Sequence, residues 1–452
     1  MARSSAAPTY RSAAGVLLAV GVLLAADAPT EPEWKFDQVR LKNGAVLRGL
    51  ILDETPAGVR FENIRRHPGR PTVRLTATFA PAEIASIDHL SDADRAELKA
   101  RLKALEEAAP AEKQRADRLD LEPIPWAGKP AAGRRYVSDH FVLESDAAEG
   151  VVRRAAVRVE QVFATYARYL PPRAERPKPT VIELFQSRAG YEARLQAQGR
   201  TFVNVACYDP AANRILCYSD LGRLGDDLER QRQEHQRIRA DLDQHDKELA
   251  RLYRGADLAR VRTVVRDARR KLAAADRDNE AIFDRATRQL FAVLYHEAFH
   301  AYLANAAYAP PQSGPPRWLN EGLAQVFESA VVEGGQLRVD HADRARLAKA
   351  QDAVRKGDLV PLPRLLRSVS RDFLAAHAAD RAATDIYYLT AWAVATELMF
   401  DRRLLGTPAL DDYFAALARG ADPEAAFADL VGRPVPEYEA ALRQYLLNLR
   451  PD

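Results

Sequence analysis

The chain has 452 residues, of which 47% are hydrophobic and 29% charged, so it can bury a sizeable core and is long enough for about two to four domains. Its 66 Lys and Arg nearly balance its 63 Asp and Glu. The resulting formal net charge of +3, with the two signs mixed, argues against a nucleic-acid partner. Two cysteines in so long a chain also exclude a fold held together mainly by disulfides.

The N-terminus has the pattern of a secretory signal. Arg3 and Arg11 precede an apolar run over residues 13–26 that ends in small residues. At about 14 residues this run is shorter than the ~20 that cross a bilayer. We therefore expect a signal peptide over residues 1–26, export to the periplasm or the exterior, and no integral membrane span after its removal. The cleavage point stays open, because Ala25 and Ala26 both leave Leu at the minus-three position. Membrane attachment through an uncleaved signal is the alternative.

Residues 35–90 alternate apolar and polar positions in five short runs, which turn residues such as Asn43-Gly44 separate. The runs cover residues 39–41, 45–52, 59–61, 73–79 and 84–87. This pattern predicts a small five-stranded β-barrel, and the amino-acid sequence of the segment resembles those of SH3-like or Sm-like barrels. Such a module could bind the cell envelope, another protein or the catalytic domain, and a mere packing role is the alternative.

The next segments predict a linker and then an α+β domain. Residues 91–134 contain a charged helix, residues 91–109, and a Pro-rich linker through Pro123, Pro125 and Pro130. Residues 136–144, 147–169 and 180–185 then predict strand, helix and strand, an order typical of α+β domains.

Residues 202–208 and 214–218 flank a turn segment and predict a β-hairpin. The only two cysteines, Cys207 and Cys217, fall almost opposite each other in this hairpin. An oxidising compartment could join them, and two buried thiols are the alternative.

Residues 222–284 predict an antiparallel helical hairpin of coiled-coil character. Leu, Ile and Val recur at helical spacing in a sequence rich in Arg, Asp, Glu and Gln, with a break at Arg254-Gly255. We interpret its charges as a solvated face; capping of a cleft or recruitment of a partner are the alternatives.

The run His296-Glu297-Ala298-Phe299-His300 lies in an apolar segment, residues 286–306, that contains no Gly or Pro and predicts a buried helix. Residues four apart share a helix face, so His296 and His300 can aim at one ion. Glu297 then lies beside that ion as a candidate general base. The alternative is a pair of histidines with only a packing role.

A second motif, Trp318-Leu319-Asn320-Glu321-Gly322, begins a predicted helix over residues 320–330 behind a Pro-rich loop. Such a helix can return its first turn to the ion, which makes Glu321 the candidate third ligand. The alternative is that Glu321 only favours the positive end of its own helix.

At these motifs the chain resembles the gluzincin superfamily, zinc peptidases in which HExxH is completed by a Glu on a following helix. The wording is most similar to the peptidase MA-like branch of secreted and membrane-attached bacterial proteins, and the resemblance covers residues 135–450. It implies that His296, His300 and Glu321 bind one zinc ion and that Glu297 is the base.

The resemblance also implies a Tyr or His that stabilises the oxyanion. Tyr388 is our first choice and Tyr387 the second, with ordinary helix packing as the alternative role. Some gluzincins have an acidic residue four positions after the Glu ligand; here that position is Gln325, and Glu328 is the candidate to replace it. Finally, an edge strand near the zinc binds extended peptides in this superfamily; the hairpin at residues 202–218 is our candidate, and a purely structural hairpin is the alternative.

We therefore expect an α+β chain with a β-barrel at 35–90, a linker at 91–134 and a metallopeptidase domain at 135–452. Within that domain, residues 222–284 form the helical insertion and residues 338–449 a helical lobe that closes the cleft. The expected function is an exported zinc peptidase acting on peptides or proteins. The alternative is an inactive metal-binding or envelope interaction protein, using the barrel or the helical hairpin to contact an envelope partner.

Overall fold

The computed structural model describes residues 34–174, 177–200, 205–219, 221–308, 315–373 and 381–450. The predicted signal peptide, residues 1–26, lies outside these ranges. The fold is α+β. Its strands are β1 Asp37–Leu41, β2 Val46–Thr55, β3 Gly58–Arg65, β4 Val73–Phe79, β5 Ile84–Asp88, β6 Glu122–Trp126, β7 Lys129–Val137, β8 Phe141–Ser145, β9 Thr180–Phe185, β10 Ala206–Asp209, β11 Arg214–Tyr218, β12 Val331–Glu333 and β13 Gln336–Arg338.

The helices account for most of the remaining described residues. They are α1 Asp92–Arg118, α2 Glu149–Tyr169, α3 Arg188–Ala197, α4 Gly222–Leu252, α5 Gly255–Tyr302, α6 Arg317–Glu328, α7 Arg344–Lys356, α8 Leu362–Leu366, α9 Arg381–Thr396, α10 Pro408–Ala418, α11 Pro423–Val431 and α12 Val435–Asn448. Within the described ranges, none of these helices combines the length and the apolar character that a bilayer span requires.

The five strands predicted for residues 35–90 are present, but they do not form a closed barrel. Their order, β4-β3-β2-β1-β5, leaves β4 and β5 at opposite edges of one antiparallel sheet. Leu50 and Ile64 point away from the cluster around Phe61 and are covered instead by Leu98 and Leu102 of α1. A helix therefore buries the second apolar face of this sheet, which the expectation of a barrel did not include.

The predicted Pro-rich linker is instead a β-hairpin. The first helix runs on to Arg118, past its predicted end at residue 109 and through Pro110. β6 and β7 then pair antiparallel as the edge of a six-stranded sheet. An edge strand tolerates Pro123 and Pro125 because its outer amides need no partner in the sheet.

That six-stranded sheet has the order β10-β11-β9-β8-β7-β6 and is mixed, with parallel pairing only on the two sides of β9. The single strand expected for residues 136–144 is wrong. Its first residues end β7, and its last residues begin β8. Ser138 makes the turn between them, since its hydroxyl accepts hydrogen bonds from the amides of His140 and Phe141.

The helical hairpin predicted for residues 222–284 is present as α4 and the first half of α5. We expected this hairpin and the helix of the HExxH motif to be separate elements, and that expectation is wrong. One unbroken helix of 48 residues, α5, begins at the hairpin turn and contains both histidines. No Gly or Pro occurs between Ala256 and Ala307, so nothing in the sequence ends the helix between the two segments.

The helices from α7 to α12 form the C-terminal part of the chain, as expected for residues 338–449. Close packing of α9 against α6 joins this part to the second motif. A methyl group added at Gly322 would overlap the carbonyl of Ala391 and lie 2.9 Å from the Cβ of Ala395. The glycine therefore permits a helix contact that no other residue would allow at this separation.

Candidate metal centre

His296 and His300 lie one turn apart near the C-terminal end of α5, with ring centroids 4.7 Å apart. Glu321 lies in the first half of α6 and is almost fully buried. Its Oε2 is 3.4 Å from Nε2 of His296 and 3.6 Å from Nε2 of His300. One ligand atom from each of the three residues falls within 4.8 Å of the other two, so this group could hold a metal ion.

The opposite nitrogen of each imidazole has its own partner. Nδ1 of His296 lies 2.8 Å from Oε2 of Glu328, and Nδ1 of His300 lies 2.7 Å from Oδ1 of Asn320. Both partners are acceptors in this arrangement, so we assign the proton to Nδ1 when the rings are neutral. This leaves both Nε2 lone pairs directed towards Glu321, as a metal site requires.

The carboxylate of Glu321 is the best test of whether a cation fits. The guanidinium of Arg317 approaches Oε1 at 2.5 Å. Nevertheless, neither oxygen makes a hydrogen bond of normal geometry within the described residues. Arg317 neutralises the Oε1 side, but Oε2 is buried without a normal hydrogen bond and faces the two Nε2 atoms at 3.4 and 3.6 Å, so a cation between them would satisfy it. The residues present therefore fit a metal ion.

Burial and charge act in opposite directions on these groups. Burial would raise the pKa of Glu321, but the two histidines and Arg317 lower it to about 2. Burial would lower the pKa of His296, but the carboxylates of Glu321 and Glu328 outweigh burial and raise it to about 10. For His300, burial dominates and lowers the pKa. Without a metal, the neighbouring carboxylates therefore favour the protonated form of His296, while burial favours the neutral form of His300.

Glu297, the candidate base, faces the edge of the six-stranded sheet. Its Oε2 accepts a hydrogen bond of 2.7 Å from the backbone amide of Tyr208 in β10. The hydroxyl of Tyr208 accepts in turn from the side-chain amide of Asn305, just beyond α5. The predicted hairpin of residues 202–218 is thus present in its described part as β10 and β11, beside the candidate base; residues 202–204 lie outside the described ranges.

The two cysteines of this hairpin are free thiols. Cys217 pairs with Ala206, and Cys207 pairs with Leu216, so the register is offset by one residue from an opposed pair. Neighbouring residues of a strand point to opposite faces, and the two thiols accordingly belong to different apolar clusters. A disulfide between them would require the strands to slip by one residue.

Tyr388 and Tyr387 differ in their surroundings. The hydroxyl of Tyr388 donates to the carbonyl of Phe373 at 3.1 Å. Burial and the charge of Glu321 raise the pKa of Tyr388, and Arg317 partly opposes them. Tyr387 is buried, and its ring packs edge-on against Phe373. Both tyrosine rings thus contact Phe373, and the charges of Glu321 and Arg317 act on Tyr388.

Glu328, the suggested replacement for an acidic residue at position 325, does contact a histidine. Arg346 of α7 forms an ion pair with Oε1 of the same carboxylate. Gln325 instead joins two helices, because its side-chain amide donates to the carbonyl of Tyr388 at 2.9 Å. The helix α6 thus connects the histidines on one side to α9 on the other.

Two residues that contact the candidate metal-binding group, Asn320 and Arg317, were not predicted from the sequence. The contact of Asn320 with His300 depends on how α6 packs against α5, for which the sequence has no local signal. Arg317 precedes Glu321 by four residues, and this spacing of opposite charges on a helix could have indicated the pair.

The chain was compared with models of protein families. The profile of a family described as "Protein of unknown function (DUF1570)" matches residues 290–405. These residues include both motifs, the Asn320 contact and Tyr388. A search of curated proteins finds no match.

Proposed function

We propose that the chain is a zinc-dependent peptidase in which His296, His300 and Glu321 hold one zinc ion. The observation that carries this proposal is the convergence of two Nε2 atoms and one carboxylate oxygen, with each imidazole held from behind by an acceptor. Two imidazoles and a carboxylate are a ligand set that catalytic zinc uses. The resemblance to gluzincins supports the same assignment.

Zinc held by three protein side chains keeps one position for water and lowers the pKa of that water towards ~7. Glu297 is the adjacent carboxylate that can accept a proton from the attacking water and later return it to the leaving amine. The amide of Tyr208 binds Oε2 of Glu297. This contact orients the carboxylate and leaves Oε1 for the proton transfer.

The proposed substrate is a peptide or protein segment in extended conformation. Among the described residues, β10 is the edge strand of its sheet and pairs only with β11. An extended peptide can add, through main-chain hydrogen bonds, to those groups of this edge that Glu297 leaves free. Its scissile bond would then lie near Glu297, and the hydroxyl of Tyr388 is our candidate for stabilising the oxyanion.

The test measures metal content and peptide turnover on the same purified full-length protein. We expect about one zinc per chain in the wild type and in Glu297→Gln, and little zinc in Glu321→Ala. Hydrolysis of a mixed peptide library should be lost in both variants. Glu437→Gln changes an exposed glutamate of α12 and serves as the matched control, which should keep both metal and turnover.

The outcomes separate the proposal from its alternatives. Zinc binding with no turnover that depends on Glu297 would favour an inactive metal-binding protein. Protein without metal in every variant, even after incubation with zinc, would overturn the proposal and favour a structural role.

A further inference from the structure

The helices α4 and α5 form an arm, residues 222–284, that projects from the fold. Polar contacts join the two helices along their length: a hydrogen bond of 2.7 Å between His235 and Asp276, and ion pairs of Arg269 with Asp243 at 2.7 Å and of Arg262 with Asp246 at 2.8 Å. From Gly255 to Phe283, where α5 reaches the main core, the rise of a helix gives a length of about 42 Å. The arm therefore holds its far end well away from the candidate metal centre.

The charge of this arm is polarised along its length. The tip, residues 247–271, contains nine Lys or Arg against three Asp or Glu, a net charge of +6. The base, residues 222–246 and 272–284, contains six Lys or Arg against eleven Asp or Glu, a net charge of −5. The net charges of the tip and the base nearly cancel over the whole arm. The sequence average therefore indicated only a surface of mixed charge that faces solvent.

Much of the positive charge at the tip is available to a ligand. Lys247, Arg251, Arg266 and Lys271 are exposed and form no ion pair with any described residue. At the apex, Arg254 donates to backbone carbonyls of its own turn and keeps its charge. A cluster of positive charge of this density attracts an anionic surface over about one Debye length, ~10 Å at 0.1 M salt.

The apex between the two helices is apolar as well as basic. Leu252 is 76% exposed and Tyr253 is 40% exposed, directly beside Arg251 and Arg254. A soluble polyanion gains nothing from an exposed leucine. A bilayer does, because an apolar side chain and a tyrosine ring can enter the headgroup region while neighbouring Lys and Arg remain at the phosphates.

We propose that the tip of the arm docks on an anionic lipid bilayer, with Leu252 and Tyr253 inserted among the headgroups and Lys247, Arg251 and Arg254 on the phosphates. The contact is peripheral, since it uses one helical turn and a loop rather than a span. It does not depend on the peptidase proposal, because no residue of the metal centre takes part.

The test is sedimentation of the purified full-length protein with vesicles of phosphatidylcholine, with or without about one-third phosphatidylglycerol. The double variant Lys247→Gln/Arg251→Gln should lower the partition coefficient on anionic vesicles roughly 30-fold, since each basic residue near such a surface contributes a factor of about five. Leu252→Ser should lower it by at least about fivefold through the lost apolar contact. The matched control, Arg230→Gln/Arg237→Gln, removes the same charge from exposed positions of the base and should bind as the wild type does.

Unchanged melting temperatures and helix content would show that these surface variants fold. Binding that requires phosphatidylglycerol, weakens with salt and depends on both the tip charges and Leu252 supports the proposal. Equal losses in the tip and base variants, or no binding to anionic vesicles, would overturn it. Binding to soluble polyphosphate with no effect of Leu252→Ser would also overturn it, in favour of a soluble polyanion.

Discussion

The contact between Asn320 and His300 makes a sharp prediction about metal affinity. The amide oxygen of Asn320 lies 2.7 Å from Nδ1 of His300, and both side chains are buried. In Asn320→Ala the Nδ1–H group loses its acceptor in a place that water does not easily reach. A buried donor without a partner costs about 1–3 kcal/mol. The ring is also free to turn, or to move its proton to Nε2, which removes the lone pair that the metal needs.

We therefore expect Asn320→Ala to weaken zinc binding about 10- to 100-fold, the usual effect of removing the partner of a metal-binding histidine. That range corresponds to about 1.4–2.7 kcal/mol and agrees with the cost of the unpaired donor. Asn320→Asp keeps an acceptor at the same place, so its affinity should equal or exceed that of the wild type. The assay is competition for zinc with a chromophoric chelator.

Asn305→Ala is the matched control. Asn305 lies five residues after His300 and bonds to Tyr208 and to the carbonyl of Ala301, without a recorded contact to either histidine among the described residues. Its loss should leave the dissociation constant within about twofold. If Asn320→Ala binds zinc as tightly as the wild type, or if Asn305→Ala loses as much affinity, the reasoning about the histidine tautomer is refuted.

Three further predictions concern the pH dependence of binding, helix packing and catalysis. Because the carboxylates raise the pKa of His296 to about 10, zinc must displace a proton from this histidine. The zinc affinity should therefore fall about tenfold per pH unit from pH 8 to 6. Calorimetry in buffers of different ionisation enthalpy measures the released proton. Gly322→Ala should cost about 1–3 kcal/mol of unfolding free energy in denaturant titrations, since its methyl group would overlap the carbonyl of Ala391. Tyr388→Phe should lower kcat for a library-selected peptide about 10- to 100-fold with little change in KM.

Each of these predictions has an outcome that would contradict it, and the last two have a control variant in the same chain. A pH-independent zinc affinity would contradict the proton displacement. Gly190→Ala places its methyl group no closer than 3.4 Å to any neighbour and should cost little; an equal loss there would refute the packing argument. Tyr387→Phe should leave kcat unchanged, and an equal effect of the two tyrosine variants would reduce Tyr388 to a packing residue.

The two histidines of the candidate metal centre could be predicted because their relation is local in the sequence. Spacings of four within a helix bring His296 and His300 together whatever the rest of the fold does. The approach of Glu321 to the two histidines was expected from the resemblance of its motif to that of gluzincins. The sequence alone does not determine it, because α6 could pack on α5 in several ways. Asn320 was missed for that reason: its role exists only in the packed pair of helices.

The wrong predictions about the fold share a physical cause. Contacts with residues distant in sequence determine the register of a strand, the length of a helix and which segment forms the edge of a sheet. The offset between Cys207 and Cys217 depends on how β10 pairs with β11. The Pro-rich segment could become a strand only because it lies at the edge of a sheet. The barrel failed to close because α1 covers Leu50 and Ile64, and that contact is invisible in the alternating pattern of the strands.

Because α5 is one unbroken helix, the number of residues between the tip of the arm and the two histidines fixes both the distance and the relative direction of the tip. One residue inserted between Gly255 and His296 would lengthen the arm by only about 1.5 Å but rotate its tip by about 100° relative to the histidines. Seven residues would restore the direction to within about 20°. Homologous chains that keep both ends should therefore differ in arm length by about a whole number of helical turns, and an engineered insertion of two or five residues should turn the tip by about 200° or 140°, towards the opposite side, while leaving the candidate metal centre intact.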